Sequence, residues 1–327
     1  MQVKAWLWNE PTEPSNLQLA HREIPAPHPG EVLIENKAIA LNPVDWKLVR
    51  SKTNGWQPGH IPGVDAAGTV VACGEHTNIP IGTRVAVHHD LTKDGTFATH
   101  TVVAAKALLK IPDSVSFASA ATIPCPGLTA WQAISKVPVI AERDIVITGG
   151  ASATGTWLVQ LAVQRGYRVW TTASRQHHSQ LLELGAEGVF DYHDPNWLDA
   201  LQQALEGRRL YAAIDNIGSQ HARTLAPLIS YNGHLVCIAG RLPEPPLPAF
   251  STVISLHEVA LGAIYQHGHD QDWAALRHAG AELLNGIASG SLRTPEITSF
   301  SFDRLAEALA TLQAGKQHGK LITELSH

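Results

Sequence analysis

The chain has 327 residues and only 16% charged side chains, with 24 Lys and Arg against 29 Asp and Glu for a formal net charge of −5. That length suits two domains with substantial cores, and the balance excludes a basic nucleic-acid stripe, a coiled coil and a disordered chain. No apolar run approaches the ~20 residues of a membrane span, Met1-Gln2-Val3-Lys4 opens no secretory signal, and Cys73, Cys125 and Cys237 lie far apart without metal or disulfide spacing, so a cytoplasmic enzyme with no membrane or nucleic-acid partner is expected.

Up to about residue 122 short β segments alternate with Gly and Pro. Residues 3–8, 17–19, 31–35, 66–72 and 84–87 are strand candidates, and 25–30 form a Pro-rich turn. A β-rich domain with little room for long helices is expected there. Near Ala118 the texture changes, and residues 128–134 predict a helix leading into a second domain. Strands then alternate with helices: strands at 144–148, 167–173, 188–192, 210–215 and 234–239, helices at 156–165, 197–205 and 219–228. That alternation predicts a doubly wound parallel sheet. Residues 243–248 are a Pro-rich loop, and the apolar stretch 259–265 reads as the last strand of the sheet. Helices at 273–287 and 301–313 and a final segment 319–323 return to the first domain. The expected division is 1–122, 123–262 and 263–327.

The stretch 144–192 is one βαβ unit around a phosphate-type turn. Its apolar strand runs into Gly149-Gly150-Ala151-Ser152-Ala153-Thr154-Gly155, and a helix follows. Such glycines allow a tight turn, and the helix N-terminus offers free amides and a positive dipole end to a pyrophosphate. The usual fingerprint is G-x-G-x-x-G; here it is G-x-S-x-x-G, with Ser152 small and able to bond a phosphate oxygen. About 20 residues on, where an NAD-preferring unit carries Asp or Glu, stand Ser174 and Arg175. A hydroxyl and a guanidinium suit a 2′-phosphate, so NADPH is favoured.

Asn42-Pro43-Val44-Asp45-Trp46-Lys47, Pro62-Gly63-Val64-Asp65-Ala66-Ala67-Gly68, Gly82-Thr83-Arg84-Val85, Gly127-Leu128-Thr129-Ala130-Trp131, Asp215-Asn216-Ile217-Gly218 and Gly319-Lys320-Leu321 occur in that order along with the cofactor unit. With them the chain resembles the zinc-free quinone oxidoreductase branch of the medium-chain dehydrogenase/reductase superfamily over nearly its whole length. The resemblance implies a GroES-like β domain, interrupted in sequence, flanking a Rossmann domain, with NADPH in the cleft and a homodimer paired through the 259–265 strand. It implies hydride transfer to quinones or α,β-unsaturated carbonyls. A zinc-free alcohol or aldehyde oxidoreductase and a non-catalytic NADPH-binding sensor or structural protein are the alternatives.

The same resemblance puts Asn42 and Val64 where zinc ligands would stand, with only Cys125 near the third, so no metal is expected. Asn42 then either orients the ring or the substrate oxygen, or fixes the loop before Pro43. Trp46, His89 and Tyr265 are substrate-side candidates, with His89 the candidate proton donor. Gly150, Ser152, Ala153, Thr154, Gly155, Ser174, Arg175 and Tyr192 are the cofactor candidates, joined by Thr129, Asn216, Ile238 and Lys320. Enoyl-thioester reductases carry a Tyr acid after the Asn-x-x-Asp motif; residues 46–61 contain none, only Trp46 and Trp56 among aromatics, which counts against that class.

Overall fold

A computed structural model describes residues 1–51, 55–315 and 319–325. The chain forms two compact units, Met1–Leu128 with Gly262–His327, and Thr129–Leu261.

In the first unit β1 (Gln2–Leu7) and β2 (Gln18–Glu23) form an antiparallel ribbon. The main sheet is built from β3 (Glu31–Ala40), β4 (Asp65–Cys73), β5 (Arg84–His88), β6 (His100–Ala104) and β7 (Leu109–Lys110). The β4–β5 register sets Asp65 directly opposite His88. The loop expected before Pro43 leads into a helix, Pro43–Arg50, with Pro43 at its first position where a missing N–H costs nothing.

In the second unit six parallel strands are β8 (Asp144–Ile147), β9 (Arg168–Thr172), β10 (Gly188–Phe190), β11 (Leu210–Asp215), β12 (Ile229–Cys237) and β13 (Ser255–Glu258). They lie in the order β10-β9-β8-β11-β12-β13. Every residue of β8 and β11 is buried, which explains why both read as continuous apolar runs rather than alternating ones. The chain winds one way from β8 and the other way from β11, so the switch point, where such sheets bind ligands, lies at the carboxyl ends of these two strands. Trp170, Trp197, Leu201, Leu210, Leu225 and Leu235 fill the core on one face.

The chain then returns to the first unit, where β14 (Ile297–Ser301) pairs in parallel with β15 (Lys320–Glu324), and β15 pairs antiparallel with β3.

Two expectations shift. Residues 259–265 are not a strand: β13 ends at Glu258, a 3-10 turn covers Leu261–Ala263, and Ile264–His267 is a short helix. The Tyr265 hydroxyl donates to the His88 carbonyl oxygen at 2.6 Å and its ring meets Trp273 edge-on at 5.0 Å, so the part from Gly262 on packs in the first unit. A short apolar run cannot by pattern alone separate strand from helix. Residues 123–128 also sit in the first unit, because the Ile123–Gly127 turn is anchored there by the Cys125 amide donating to Asp65 Oδ2 at 2.9 Å.

Candidate active site

In the second unit the turn after β8 has a definite construction. Gly149 takes φ +66°, a conformation that costs a side-chain-bearing residue energy. Its amide donates to Thr172 Oγ1 at 3.0 Å, and the Gly150 amide to the Thr172 carbonyl at 2.9 Å, so the turn is tied to the end of β9. Ser152 caps the helix Ala153–Gln164: its Oγ accepts from the Gly155 amide at 3.0 Å and donates to the Gly149 carbonyl at 2.8 Å. The hydroxyl expected to serve a phosphate here gives its proton to the Gly149 carbonyl oxygen within the turn. Ala153 and Thr154 follow as the first two helical residues, whose amides have no acceptor inside a helix. Gly155 is buried, and a Cβ there would overlap the Gly149 carbonyl oxygen and lie 2.7 Å from the Gly150 Cα.

At the switch point Asn216 donates from Nδ2 to the Thr148 carbonyl at 2.8 Å, and Thr148 Oγ1 donates to Asp215 Oδ1 at 2.9 Å. Asp215 also meets His221 Nδ1 at 2.6 Å, a pair that sequence reading did not single out. Ile238 follows β12 and is half-buried, its amide on the Asp215 carbonyl. Thr129 is half-buried in the helix Leu128–Ser135.

Ser174 and Arg175 follow β9. The Arg175 side chain is 85% exposed, with Nε 3.3 Å from Asp191 Oδ2. No acid stands between Gly166 and Glu183 in sequence, but β10 lies beside β9 and brings Asp191 to the spot. The Asp191 carboxyl is held below its usual range, chiefly by the amide and ring of His193, with Arg175 adding to the effect. Tyr192 next to it is exposed, its ring 4.2 Å from that of His193.

In the first unit a buried polar cluster forms where β3 meets the helix Pro43–Arg50. Asn42 uses its whole amide: Nδ2 donates to Asp65 Oδ2 at 2.9 Å and to the Ala40 carbonyl at 3.3 Å, while Oδ1 accepts from Lys320 Nζ. Its backbone N–H donates to Asp45 Oδ2 at 2.7 Å, and burial pushes the Asp45 carboxyl up to about 8 although that N–H pulls the other way. Of the two roles open to Asn42, loop fixation is the one these hydrogen bonds carry. Lys320, grouped by resemblance with the cofactor residues, is 2% exposed and belongs to this network, 3.9 Å from Asp65 Oδ2. Asp65 also receives His88 Nδ1 on Oδ1 at 2.9 Å. Trp46 is half-buried, with Lys47 Nζ 5.7 Å above its ring.

His89 does not suit the role of proton donor. It is 1% exposed, its Nε2 is tied to the Asp94 carbonyl at 2.9 Å, and burial pulls its ring down to about 4, so it is neutral at pH 7. The Tyr265 hydroxyl, already donating to His88, is raised well above the usual phenol range by burial.

Two domain families match the chain: the alcohol dehydrogenase GroES-like domain over residues 28–113 and the zinc-binding dehydrogenase over residues 184–322. The trans-enoyl reductase caaB of Aspergillus niger is 34% identical over 305 residues, covering 81% of this chain and 80% of that protein. The chain belongs to the medium-chain dehydrogenase/reductase superfamily. Trans-enoyl reductase himH of Aspergillus japonicus is 29% identical over 98% of this chain and 96% of its own length. A crystal structure of the quinone oxidoreductase from Pseudomonas syringae shares the fold, with TM-score 0.86 and 24% identity across 98% of this chain and 99% of that one.

This member of the superfamily is an oxidoreductase of the quinone oxidoreductase and trans-enoyl reductase branch. The superfamily implies a nicotinamide cofactor, and the turn fits one: the close approach at Gly155 lets the helix N-terminus pack directly on the turn that follows β8, as a pyrophosphate site requires. Zinc is the other group that the matched family implies. Asp65, His88 and Cys125 offer one ligand atom each, all within 4.8 Å of one another, the single such group among the described residues. Sequence counting found only the thiol. As they stand the three do not fit a divalent ion: His88 Nδ1 is spent on Asp65 Oδ1, Oδ2 accepts from Asn42 and from the Cys125 amide, and an ammonium lies beside it.

Proposed function

We propose that the chain is an NADPH-dependent, metal-independent reductase of quinones and of carbon–carbon double bonds conjugated to a carbonyl. The observation that supports it most is the capped turn Gly149–Gly155, which joins β8, a switch-point strand, to a helix whose first amides, those of Ala153 and Thr154, have no acceptor within the helix. When bound, the nicotinamide supplies hydride. The acceptor class is drawn from the names of the relatives, trans-enoyl reductases and quinone oxidoreductases. Those names outweigh the missing Tyr after Asp45 as a guide to enoyl substrates. A simple alcohol or aldehyde pair needs stronger carbonyl polarisation than this network offers, because the Asn42 amide and the His88 Nδ1 proton are already engaged within the protein. Protonation of the reduced product falls to solvent, since His89 is neutral and tied to a backbone carbonyl. Oxidation of NADPH by a quinone or an enone, but not by a saturated aldehyde, is the expected result. Failure to oxidise NADPH with any acceptor of a broad panel, despite tight binding, would leave the sensor alternative.

The choice of NADPH over NADH rests on Ser174 and Arg175, and the Asp191 carboxylate beside Arg175 is the observation that favours NADH. NADPH requires the guanidinium to exchange Asp191 for the 2′-phosphate, a more strongly charged partner. Arg175→Ala should raise the Michaelis constant for NADPH by about five- to tenfold, the low end for an exposed charged contact, and leave that for NADH unchanged. Equal losses with both cofactors in steady-state kinetics at fixed salt would remove the assignment. The homodimer is proposed through the edge strand β13, whose Leu256 is exposed; a monomeric mass by sedimentation at micromolar concentration would count against it.

A further inference from the structure

The disagreement between the ligand-type residues and a metal has a specific source. Asp65 and His88 face each other across β4 and β5, and Cys125 is brought in by the Ile123–Gly127 turn, so backbone pairing converges these donors without help from an ion. A thiolate, an imidazole and a carboxylate are a set that Zn²⁺ or Co²⁺ accepts, with three protein ligands and one open position. Tetrahedral bonds of about 2.0–2.3 Å need donors roughly 3.3–3.8 Å apart, and the three ligand atoms here all lie within 4.8 Å of one another. What opposes closure is charge. Lys320 opens β15, the Leu41 amide bonds to the Leu321 carbonyl, and the ammonium is thereby carried onto Asn42 Oδ1, 3.9 Å from Asp65 Oδ2.

We infer that the Lys320 ammonium is the resident cation of the Asp65–His88–Cys125 cluster and is the residue that keeps a divalent metal ion out of it. A buried ammonium neutralises the one carboxylate that the metal would need, and repels a doubly charged ion through a medium that screens poorly. The inference rests on this network and is independent of the acceptor or of the cofactor preference.

The test compares full-length wild type, Lys320→Arg, Lys320→Met and the double variant Lys320→Met with Cys125→Ser, each reduced, stripped with chelator and desalted. Co²⁺ is titrated while the thiolate-to-cobalt charge-transfer absorption is followed, and bound Zn²⁺ per chain is measured separately. Lys320→Met should bind about one ion per chain, at least about a hundredfold tighter than wild type, with a charge-transfer band that the double variant lacks. Wild type and Lys320→Arg should show neither band nor saturable binding. Should Lys320→Met be unfolded without metal, Zn²⁺ must restore a cooperative thermal transition, since a ligand of the native state alone stabilises it. Stoichiometric metal with the same band in wild type overturns the inference. So does a Lys320→Met protein that neither binds more tightly nor gains thermal stability with metal, or a signal that survives removal of Cys125.

Discussion

Asp65→Ala should destabilise the first unit by about 3–5 kcal/mol, the range for removing one partner of a buried ion pair. The carboxylate is fully buried and answers four groups at once: Asn42 Nδ2 and the Cys125 amide on Oδ2, His88 Nδ1 on Oδ1, and the Lys320 ammonium 3.9 Å away. Alanine removes the acceptor of the His88 ring and the Cys125 amide, leaves Asn42 Nδ2 only its longer bond to the Ala40 carbonyl, and strips the Lys320 ammonium of its counter-ion. Asp65→Asn should cost less, because one amide oxygen still accepts. Combining Asp65→Asn with Lys320→Met should recover part of the loss, since neither charge then remains alone. Urea unfolding followed by tryptophan fluorescence measures all three, Trp6, Trp8, Trp46, Trp56 and Trp273 reporting on this unit. A midpoint for Asp65→Ala within about 1 kcal/mol of wild type would mean the cluster is not the keystone that its hydrogen bonds make it.

Gly155→Ala should weaken binding of NADPH and NADH alike, by at least about tenfold in Kd, the effect of a clash costing upwards of 1.4 kcal/mol. The added methyl would meet the Gly149 carbonyl oxygen and the Gly150 Cα, both backbone, so the helix Ala153–Gln164 must back away from the turn. That retreat moves the amides of Ala153 and Thr154, which serve the pyrophosphate common to both cofactors. Arg175→Ala should discriminate between the cofactors and Gly155→Ala should not, so titrating nucleotide fluorescence with the two variants separates the cradle from the selectivity contact. Unchanged affinity in Gly155→Ala would dissociate the turn from nucleotide binding.

How far the sequence could be read depended on the distance between partners. The βαβ unit was readable because its strand, glycine turn and helix are consecutive, and each carries its own chemical signature, although the capping role of Ser152 was not read. The fold class followed from the same local periodicities. Asp191 escaped because a search along one strand looks for an acid in sequence, whereas parallel pairing supplies one from the neighbouring strand. His88 was passed over for His89, though β5 ends at His88: His88 meets Asp65 on the paired strand, and His89, just beyond the strand end, is tied to the Asp94 carbonyl. The Asn42–Lys320 contact joins residues 278 positions apart, and no spacing rule reaches that far. Residues 259–265 were misread because the deciding contacts, to His88 and Trp273, are tertiary.

The interleaving of the two units also sets an order of assembly during synthesis. The nucleotide unit is one continuous stretch, Thr129–Leu261, and can complete its sheet as soon as that stretch has left the ribosome. The first unit, begun earlier, has to wait. Its sheet lacks β14 and β15, and the buried Asp65 carboxylate lacks its ammonium, until Lys320 emerges after the whole nucleotide unit has been made. During that interval the β3 edge that β15 will cover stays open to wrong partners, and Asn42 has no lysine to hold its amide oxygen. The segment before the nucleotide unit thus becomes native after it, and its completion depends on a residue that is made later than that whole unit.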